Sequence, residues 1–388
     1  MAADTLKCLF VSPVVPYPPD SGGRIRTFRL LRELRGKAEV HLRAVFESPE
    51  SVKSLRELEQ HCASVQGFAR ATPDAWRRLT RPKLERWFHS ANLETALASD
   101  LASGRFDLVH LDEMFLARAL APGVRAPIVV HHHKLDTQFQ ELVPISNRVA
   151  GAFDRFKLRR LEACAARRTK FHVLTSAEDA RALKGRYPRI ETAVVESGFD
   201  PEYFRPPSEP RVRDVLLFMG SMDYAPNVDG LVWFVREVLP KILAERANVQ
   251  LEVLGTRPTE AVRLLAGPHV SILGAAADVR PQLSRASALI VPLRIGGGTR
   301  VKIVEAMGCE TPVVSTTIGA EGLLFRDPQH LWIADSAAAF AARTLEVLGD
   351  PDAARACARR GRALALEHYQ WSDLAGKLLA AWKRTVEG

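Results

Sequence analysis

Short apolar runs rich in Val, Ile, Leu and Phe recur along this chain, each followed by a turn-rich loop and then a segment of helical spacing. "LKCLFVS" from Leu6 leads through "PVVPYPPDSGG" into "RIRTFRLLRELRG", where Ile25, Phe28, Leu31 and Leu34 share a helix face and Gly36 stops it. The same order returns with "VHLRAVF", with "DLVHLD" from Asp107, with "PIVVHHH" from Pro127 and with "FHVLTS" from Phe171. Strands that alternate with helices predict an α/β fold with a parallel sheet covered on both faces. Near residue 200 "FDPEYFRPPSEPRVRD" holds four prolines and reads as a domain edge. A second series then begins: "VLLFMGSM" from Val215, "VQLEVLG" from Val249, "VSILG" from Val270, "ALIVPL" from Ala288 and "TPVVST" from Thr311. A chain of 388 residues accommodates two such domains. Two Rossmann-like halves are expected, with ligands at the carboxyl ends of their strands.

The formal charge of +9 favours an anionic partner. Zinc-finger spacing and an aromatic RNA-binding signature are both missing, so nucleic acid is not the expected partner. No apolar run approaches the ~20 residues that span a bilayer. Met1 to Lys7 carries an acid and no apolar core, unlike a secretory signal. The five cysteines are scattered without a CxxC, which suits a reducing compartment and argues against structural zinc. A cytoplasmic location is expected.

"PLRIGGGTRVKIVEAMG", residues 292–308, is the most unusual stretch. Three glycines, Gly296, Gly297 and Gly298, precede Thr299, Arg300 and Lys302 and a helical segment with Glu305. Glycines let a backbone approach an anion, and the helix that follows offers free N–H groups. A helix dipole supplies roughly half a charge, too little for a diphosphate, so Arg300 and Lys302 would add the rest. Glu305 suits ribose hydroxyls. Read alone, the stretch is equally a Gly-rich turn with solvated cations and a Glu at a helix terminus.

Three stretches together resemble the glycosyl transferases group 1: "VPLRIGGGTRVKIVEAMGCETPVVSTTIGAEGL", "FMGSMDYAPNVDGLVWFVREVLP" from Phe218 and "SGFDPEYFRP" from Ser197. In the first half "PYPPDSGGRIRTFRLLREL" and "PIVVHHHKLD" match more loosely. The resemblance implies retaining, nucleotide-sugar-dependent transferases of GT-B architecture: two facing Rossmann-like domains with a cleft between them. The acceptor-side domain would be residues 1–200, completed by a final helix at 372–388, and the donor domain 201–371. The family carries two glutamates eight positions apart. Glu305 matches the second, used on the donor ribose, while the first falls on Gly297. The family's basic pair after the first strand of the second domain is also absent, and Ser221 and Asn227 stand in that region. Arg300 and Lys302 are expected to take over the diphosphate. Gly22 and Gly23 match the family's glycines beneath the donor phosphates, or are simply a helix-entry turn. Gly220, Gly274, Val279, Gly297, Gly298 and Thr299 complete the expected donor-binding set, with the base held near "LGAAADVRP" largely by backbone.

In "IVVHHHKLD", strand alternation puts His131 and His133 on one face and His132 on the other, so the three do not readily share one metal. His133 falls where the family places a histidine near the sugar, and it is taken as catalytic with Arg300, Lys302 and Glu305; a loop histidine bonded to backbone is the plainer account. Asp112, Glu113 or Asp136 could accept the acceptor's proton. Asp350-Pro351-Asp352 reads as helix capping. Neither a metal nor a cofactor is expected beyond the nucleotide-sugar co-substrate. "WRRLTRPKLERWFHSANL", residues 76–93, interleaves cations with Trp76, Trp87 and Phe88. It can lie on an anionic membrane, peripherally at the inner face, or present a solvated basic face. The expected activity is transfer of a sugar from a nucleoside-diphosphate sugar to a hydroxyl acceptor, of glycan, lipid-linked or small-molecule type. The alternatives are a nucleotide-sugar epimerase of the same fold and a non-catalytic nucleotide-sugar-binding protein.

Overall fold

The computed structural model describes residues 5–142, 148–296 and 300–388. They divide into two compact units, one running to Glu196 and including Trp371–Gly388, the other holding Ser197–Gly296 and Arg300–Gln370.

The first unit is built on a seven-stranded sheet of β1 (Lys7–Ser12), β2 (Glu39–Phe46), β3 (Ser64–Ala69), β4 (Leu108–Leu111), β5 (Ile128–His132), β6 (Phe171–Leu174) and β7 (Glu191–Val194). Their order is β3-β2-β1-β4-β5-β6-β7, and every neighbouring pair is parallel. The side chains of β1 show why its run is apolar from Cys8 to Val11. Cys8 and Phe10 enter a core with Leu30, Leu34 and Trp382, while Leu9 and Val11 enter another with Leu93 and Leu161. Both faces are covered, so a strand here cannot alternate with polar residues. The helix Gly22–Leu34 ends where Gly36 takes φ +76°, a left-handed conformation that costs glycine nothing.

The second unit carries a six-stranded sheet of β8 (Val215–Met219), β9 (Gln250–Leu254), β10 (Val270–Gly274), β11 (Ala288–Val291), β12 (Val313–Ser315) and β13 (Trp332–Ile333). The order is β10-β9-β8-β11-β12-β13, again wholly parallel. Leu216 and Phe218 face one core, and Val215, Leu217 and Met219 the other.

In each sheet the chain starts at an interior strand and builds outward in both directions. The order therefore reverses between β1 and β4 in the first unit and between β8 and β11 in the second. Loops leaving the carboxyl ends of these pairs diverge and leave a crevice, where open α/β sheets bind ligands.

The helix Trp371–Glu387 returns to the first unit and lays Leu374, Leu378 and Trp382 into the core beneath β1. Trp382 is fully buried, and its indole N–H donates to His110 Nδ1 at 3.0 Å. Trp382→Ala is therefore expected to destabilise the protein by about 3–5 kcal/mol in denaturant unfolding. The exposed Trp76→Ala should stay within about 0.5 kcal/mol of wild type in the same measurement.

Candidate active site

In the first unit, His133 leaves the end of β5 and meets two acids leaving the end of β4. Its Nε2 lies 2.9 Å from Asp112 Oδ1 and its Nδ1 3.7 Å from Glu113 Oε1. Asp112 also accepts from the Thr27 hydroxyl at 2.7 Å and the Ser12 hydroxyl at 3.2 Å. Burial lowers the His133 pKa, but the two carboxylates more than restore it, so it ends above the ordinary imidazole value. Burial raises Asp112, and the His133 cation and hydrogen bond then bring it below the usual carboxylate range. Glu113 is pushed up to about 8, chiefly by burial. At neutral pH the triplet thus holds an ionised Asp112 and a protonated Glu113, with His133 biased toward its cation. Neighbouring acids pushed apart in this way divide into proton holder and charge stabiliser.

Alternation along β5 places His131 beside Asp112, Nδ1 to Oδ1 3.8 Å, while His132 faces His172 at 2.9 Å. His110, Asp112 and His131 bring their ligand atoms within 4.8 Å of one another, which superficially suits a cation. The tautomers argue otherwise. Arg26 donates to His131 Nε2, and Trp382 donates to His110 Nδ1. Both donors are obligate, so His131 Nδ1 and His110 Nε2 carry the protons and point N–H groups, not lone pairs, into the cluster. Burial lowers the His110 pKa to about 3, keeping that ring neutral. Arg26 is itself fully buried and donates to the Val195 and Glu196 carbonyls.

Gly22 and Gly23 open the helix that follows β1. Its N-cap Ser21 makes no side-chain cap bond and its first turn holds no acid, so the N–H groups stay available to an anion. A Cβ at Gly23 would stand 3.1 Å from His133 Nδ1, which ties this helix entry to the histidine.

In the second unit, Gly220 follows β8 with φ +152°, and the helix Val301–Gly308 follows β11. Lys302 reaches across the crevice between them. Its ammonium donates to Asn227 Oδ1 at 3.0 Å and lies 5.2 Å from the Phe218 ring centre. It would stand 3.1 Å from a Cβ placed on Gly220. Asn227 in turn donates to the Ser221 carbonyl at 2.9 Å. Burial first, and then Arg300, lower the Lys302 pKa to about 7, against the opposing pull of Glu305. Arg300 turns elsewhere: its guanidinium donates to the Ile318 carbonyl at 2.8 Å and lies 3.5 Å from Glu321. The two cations of the glycine stretch thus point at different partners. Glu305 is buried on the same helix as Lys302. Gly274 ends β10 with φ +76°. Val279 caps the short helix Arg280–Arg285, where Arg280 binds Asp278 and lies 3.8 Å above the Tyr203 ring. Gly297, Gly298 and Thr299 lie outside the described residues. Asp350 caps the helix Pro351–His368 by accepting from the Ala353 N–H at 3.0 Å.

Residues 213–350 of the second unit match the family described as Glycosyl transferases group 1. Among curated relatives, an uncharacterized 44.6 kDa protein in the cps region of Klebsiella pneumoniae is 27% identical over 135 residues. That match spans 32% of this chain and about a third of the relative, 35%. A phosphatidyl-myo-inositol mannosyltransferase of Mycobacterium leprae is 26% identical over 298 residues, 73% of this chain and 75% of that one. Solved GT-B structures share the fold over nearly the full length. Anabaena Alr3699/HepE, solved with UDP and glucose, superposes with a TM-score of 0.70 at 16% identity, covering 98% of this chain and 100% of that one. The fold is GT-B, and the second unit carries a glycosyl transferases group 1 domain. Together these findings support a glycosyltransferase of the group 1 type.

Sequence reasoning named Asp112 and Asn227 without seeing what they hold, and it passed over Arg26, Thr27 and His110. No local pattern marks them, because their partners lie 85 to 272 residues away. The coupling of His133 to Asp112 is open to test. In an imidazole NMR titration His133 should titrate above about 6.5 in the wild type. In Asp112→Asn its pKa should fall, because the largest of the charges that raise it against burial is then gone. An unchanged His133 titration in that variant would show that Asp112 does not hold its proton.

Proposed function

We propose that this protein is a retaining glycosyltransferase that moves a sugar from a nucleoside-diphosphate sugar to a hydroxyl acceptor. The acceptor oxygen bonds to the anomeric carbon, the bond from that carbon to the diphosphate oxygen breaks, and the acceptor's proton is released. The leaving diphosphate gains charge as the bond breaks, so a cation placed beside it stabilises the transition state more than the ground state. Lys302 carries this reading. It stands in the crevice of the group 1 domain, buried beside a glycine, and its hydrogen-bond partner is a neutral amide oxygen. A cation held this way has desolvation cost left to offset, and a diphosphate would offset it. Glu305 is assigned to ribose hydroxyls, Gly274 and Val279 to the base, and Gly22 and Gly23 to the phosphates. His133 is assigned to a sugar hydroxyl. The UDP and glucose in Alr3699/HepE support a uridine nucleotide as the first donor to try. The epimerase and binding-protein readings are not favoured, and the anomeric configuration of a transferred sugar, read from its NMR coupling, tests retention.

With a pKa of about 7, Lys302 is mostly neutral at pH 8 in the free protein. A bound diphosphate favours the cation, so binding should take up close to one proton there, and affinity should weaken by up to about tenfold per pH unit above 7. Calorimetry of UDP-glucose binding in buffers of different ionisation enthalpy measures that uptake. Asn227→Asp would charge Lys302 before the donor arrives and should abolish the uptake. Lys302→Ala should weaken binding by about two to three orders of magnitude. Arg300→Ala should matter less, since its guanidinium already serves Ile318 and Glu321. Donor binding without proton uptake, and indifferent to Lys302→Ala, would remove the diphosphate from this crevice.

His133→Ala should cut turnover by about 10²–10⁴ while leaving UDP-glucose affinity within a few-fold of wild type. Turnover close to wild type would retire the catalytic assignment.

A further inference from the structure

Both phosphates of a nucleotide sugar are charged, and the crevice of the second unit holds one of the two cations that the glycine stretch supplies. Lys302 stands in it, while Arg300 serves the Ile318 carbonyl and Glu321. The sheet order β10-β9-β8-β11 shows which loop adjoins the crevice on its other side. β9 lies between β10, whose Gly274 is assigned to the base, and β8, whose Gly220 adjoins Lys302. The loop leaving β9, residues 255–259, therefore opens where nucleoside and diphosphate would join. It carries one cation, Arg257.

This loop is fixed to the one that leaves β8. The Gly220 N–H donates to the Leu254 carbonyl at 3.0 Å and the Met222 N–H to the Thr256 carbonyl at 2.8 Å, so the pairing continues past both strand ends. A Cβ on Gly255 would meet the Gly220 carbonyl oxygen at 1.7 Å, an approach open to glycine alone. Two residues on, Arg257 takes φ +53°, a left-handed conformation that costs an arginine free energy. From there its guanidinium reaches back over the β8 loop. It donates to Asp223 Oδ2 at 2.6 Å and to the Ser221 hydroxyl at 3.4 Å. The Ser221 carbonyl accepts from Asn227 at 2.9 Å, and Asn227 accepts from Lys302 at 3.0 Å. Arg257 and Lys302 thus hold the two ends of one segment, Ser221–Asn227, from the strands on either side of β8.

The Asp223 contact gives no account of the strain. The two side chains are 58% and 43% exposed, and exposed pairs of this kind contribute little. Strained backbone of this sort gathers at ligand-binding positions. The other cations that follow strands of this sheet are turned away from the segment. Arg294 lies on Asp229 and the Trp233 ring, and Arg280 on Asp278 and the Tyr203 ring.

We propose that Arg257 is the second donor-binding cation and holds the phosphate next to the nucleoside, while Lys302 holds the phosphate next to the sugar. The inference rests on the donor reading given above and adds to it the division of the two phosphates. A guanidinium presents five N–H groups in a planar fork, so it serves a carboxylate and a phosphate together. Asp223 and Ser221 keep that fork in place in the free protein.

The test is binding of uridine, UMP and UDP to the full chain by calorimetry, with the guanosine and adenosine series as further probes. UMP should bind wild type more tightly than uridine does. Arg257→Ala should weaken UMP and UDP alike, by about ten- to a hundredfold, with an unchanged thermal midpoint. Lys302→Ala should weaken UDP more than UMP. Should Arg257→Ala fold poorly at a left-handed position, Arg257→Gly carries the same test, because glycine adopts that conformation freely. UMP affinity unchanged by loss of Arg257 overturns the proposal, and so does a loss confined to UDP. Wild type to which UMP binds no better than uridine overturns it as well. If UDP affinity still depends on Lys302 in those cases, the donor reading stands without Arg257. Wild type that binds none of the nucleoside diphosphates removes both.

Discussion

A parallel strand cannot be followed directly by its neighbour; the chain must cross back over the sheet before it can pair again. The thirteen strands among the described residues obey that constraint, so in each unit every one of them ends at the same edge and the loop that follows it opens there. The constraint, more than any one contact, brings distant residues together. Gly22 after β1, Asp112 after β4 and His133 after β5 are far apart in sequence and meet because all three leave the same edge. Gly220 after β8 and Lys302 after β11 meet in the second unit for the same reason. Reversal of strand order then selects which loops diverge, and the ionisable clusters sit at those reversals.

The two crevices treat buried charge in opposite ways. Asp112 is satisfied: two hydroxyls and the His133 ring surround its carboxylate, and the neutral His131 keeps its Nδ1 3.8 Å away. A charge so enclosed orients its neighbours. Lys302 receives an amide oxygen and a ring face, and its charged form is correspondingly disfavoured. Asn227 is decisive here. A carboxylate at that position would complete an ion pair and leave a quiet structural bridge, whereas the amide fixes where the ammonium sits without cancelling it.

Much of the fold is legible in the sequence because strands buried on both faces must be apolar at every position. β8 and β11 show this as unbroken runs, and β1 and β4 depart from it only at Lys7, Ser12 and His110. The strands that escape such a reading are β3, β7 and β13, and all three lie at sheet edges. An edge strand is covered incompletely, so β7 is half-buried throughout and β3 mixes exposed with buried positions. The apolar signal weakens where the covering does. β13 has only Trp332 and Ile333 to announce it. At the candidate site, the facing of His131 and His133 toward one side and His132 toward the other follows from strand alternation alone. Which acid they meet does not, because that depends on the register of β4 against β5 and on crossover geometry. Lys302 shows the same limit. Its place after a glycine-rich loop is visible in the sequence, but its separation from Arg300 is a matter of helix phase and of the Ile318–Glu321 segment, which no local spacing encodes.

A side chain in the first unit is exposed or buried according to which side of its helix it occupies, and this gives the Arg148–Arg168 helix its double character. From sequence it reads as basic and weakly patterned, because apolar positions on both sides blur any single stripe. The structure separates them: Leu158 and Leu161 belong to the core, and Val149, Phe153 and Phe156 remain outside it. A helix needs only its inward face to hold its place on the sheet. Apolar side chains on the outward face contribute nothing to that packing and add aggregation risk. Folding therefore gives no reason for the outward stripe.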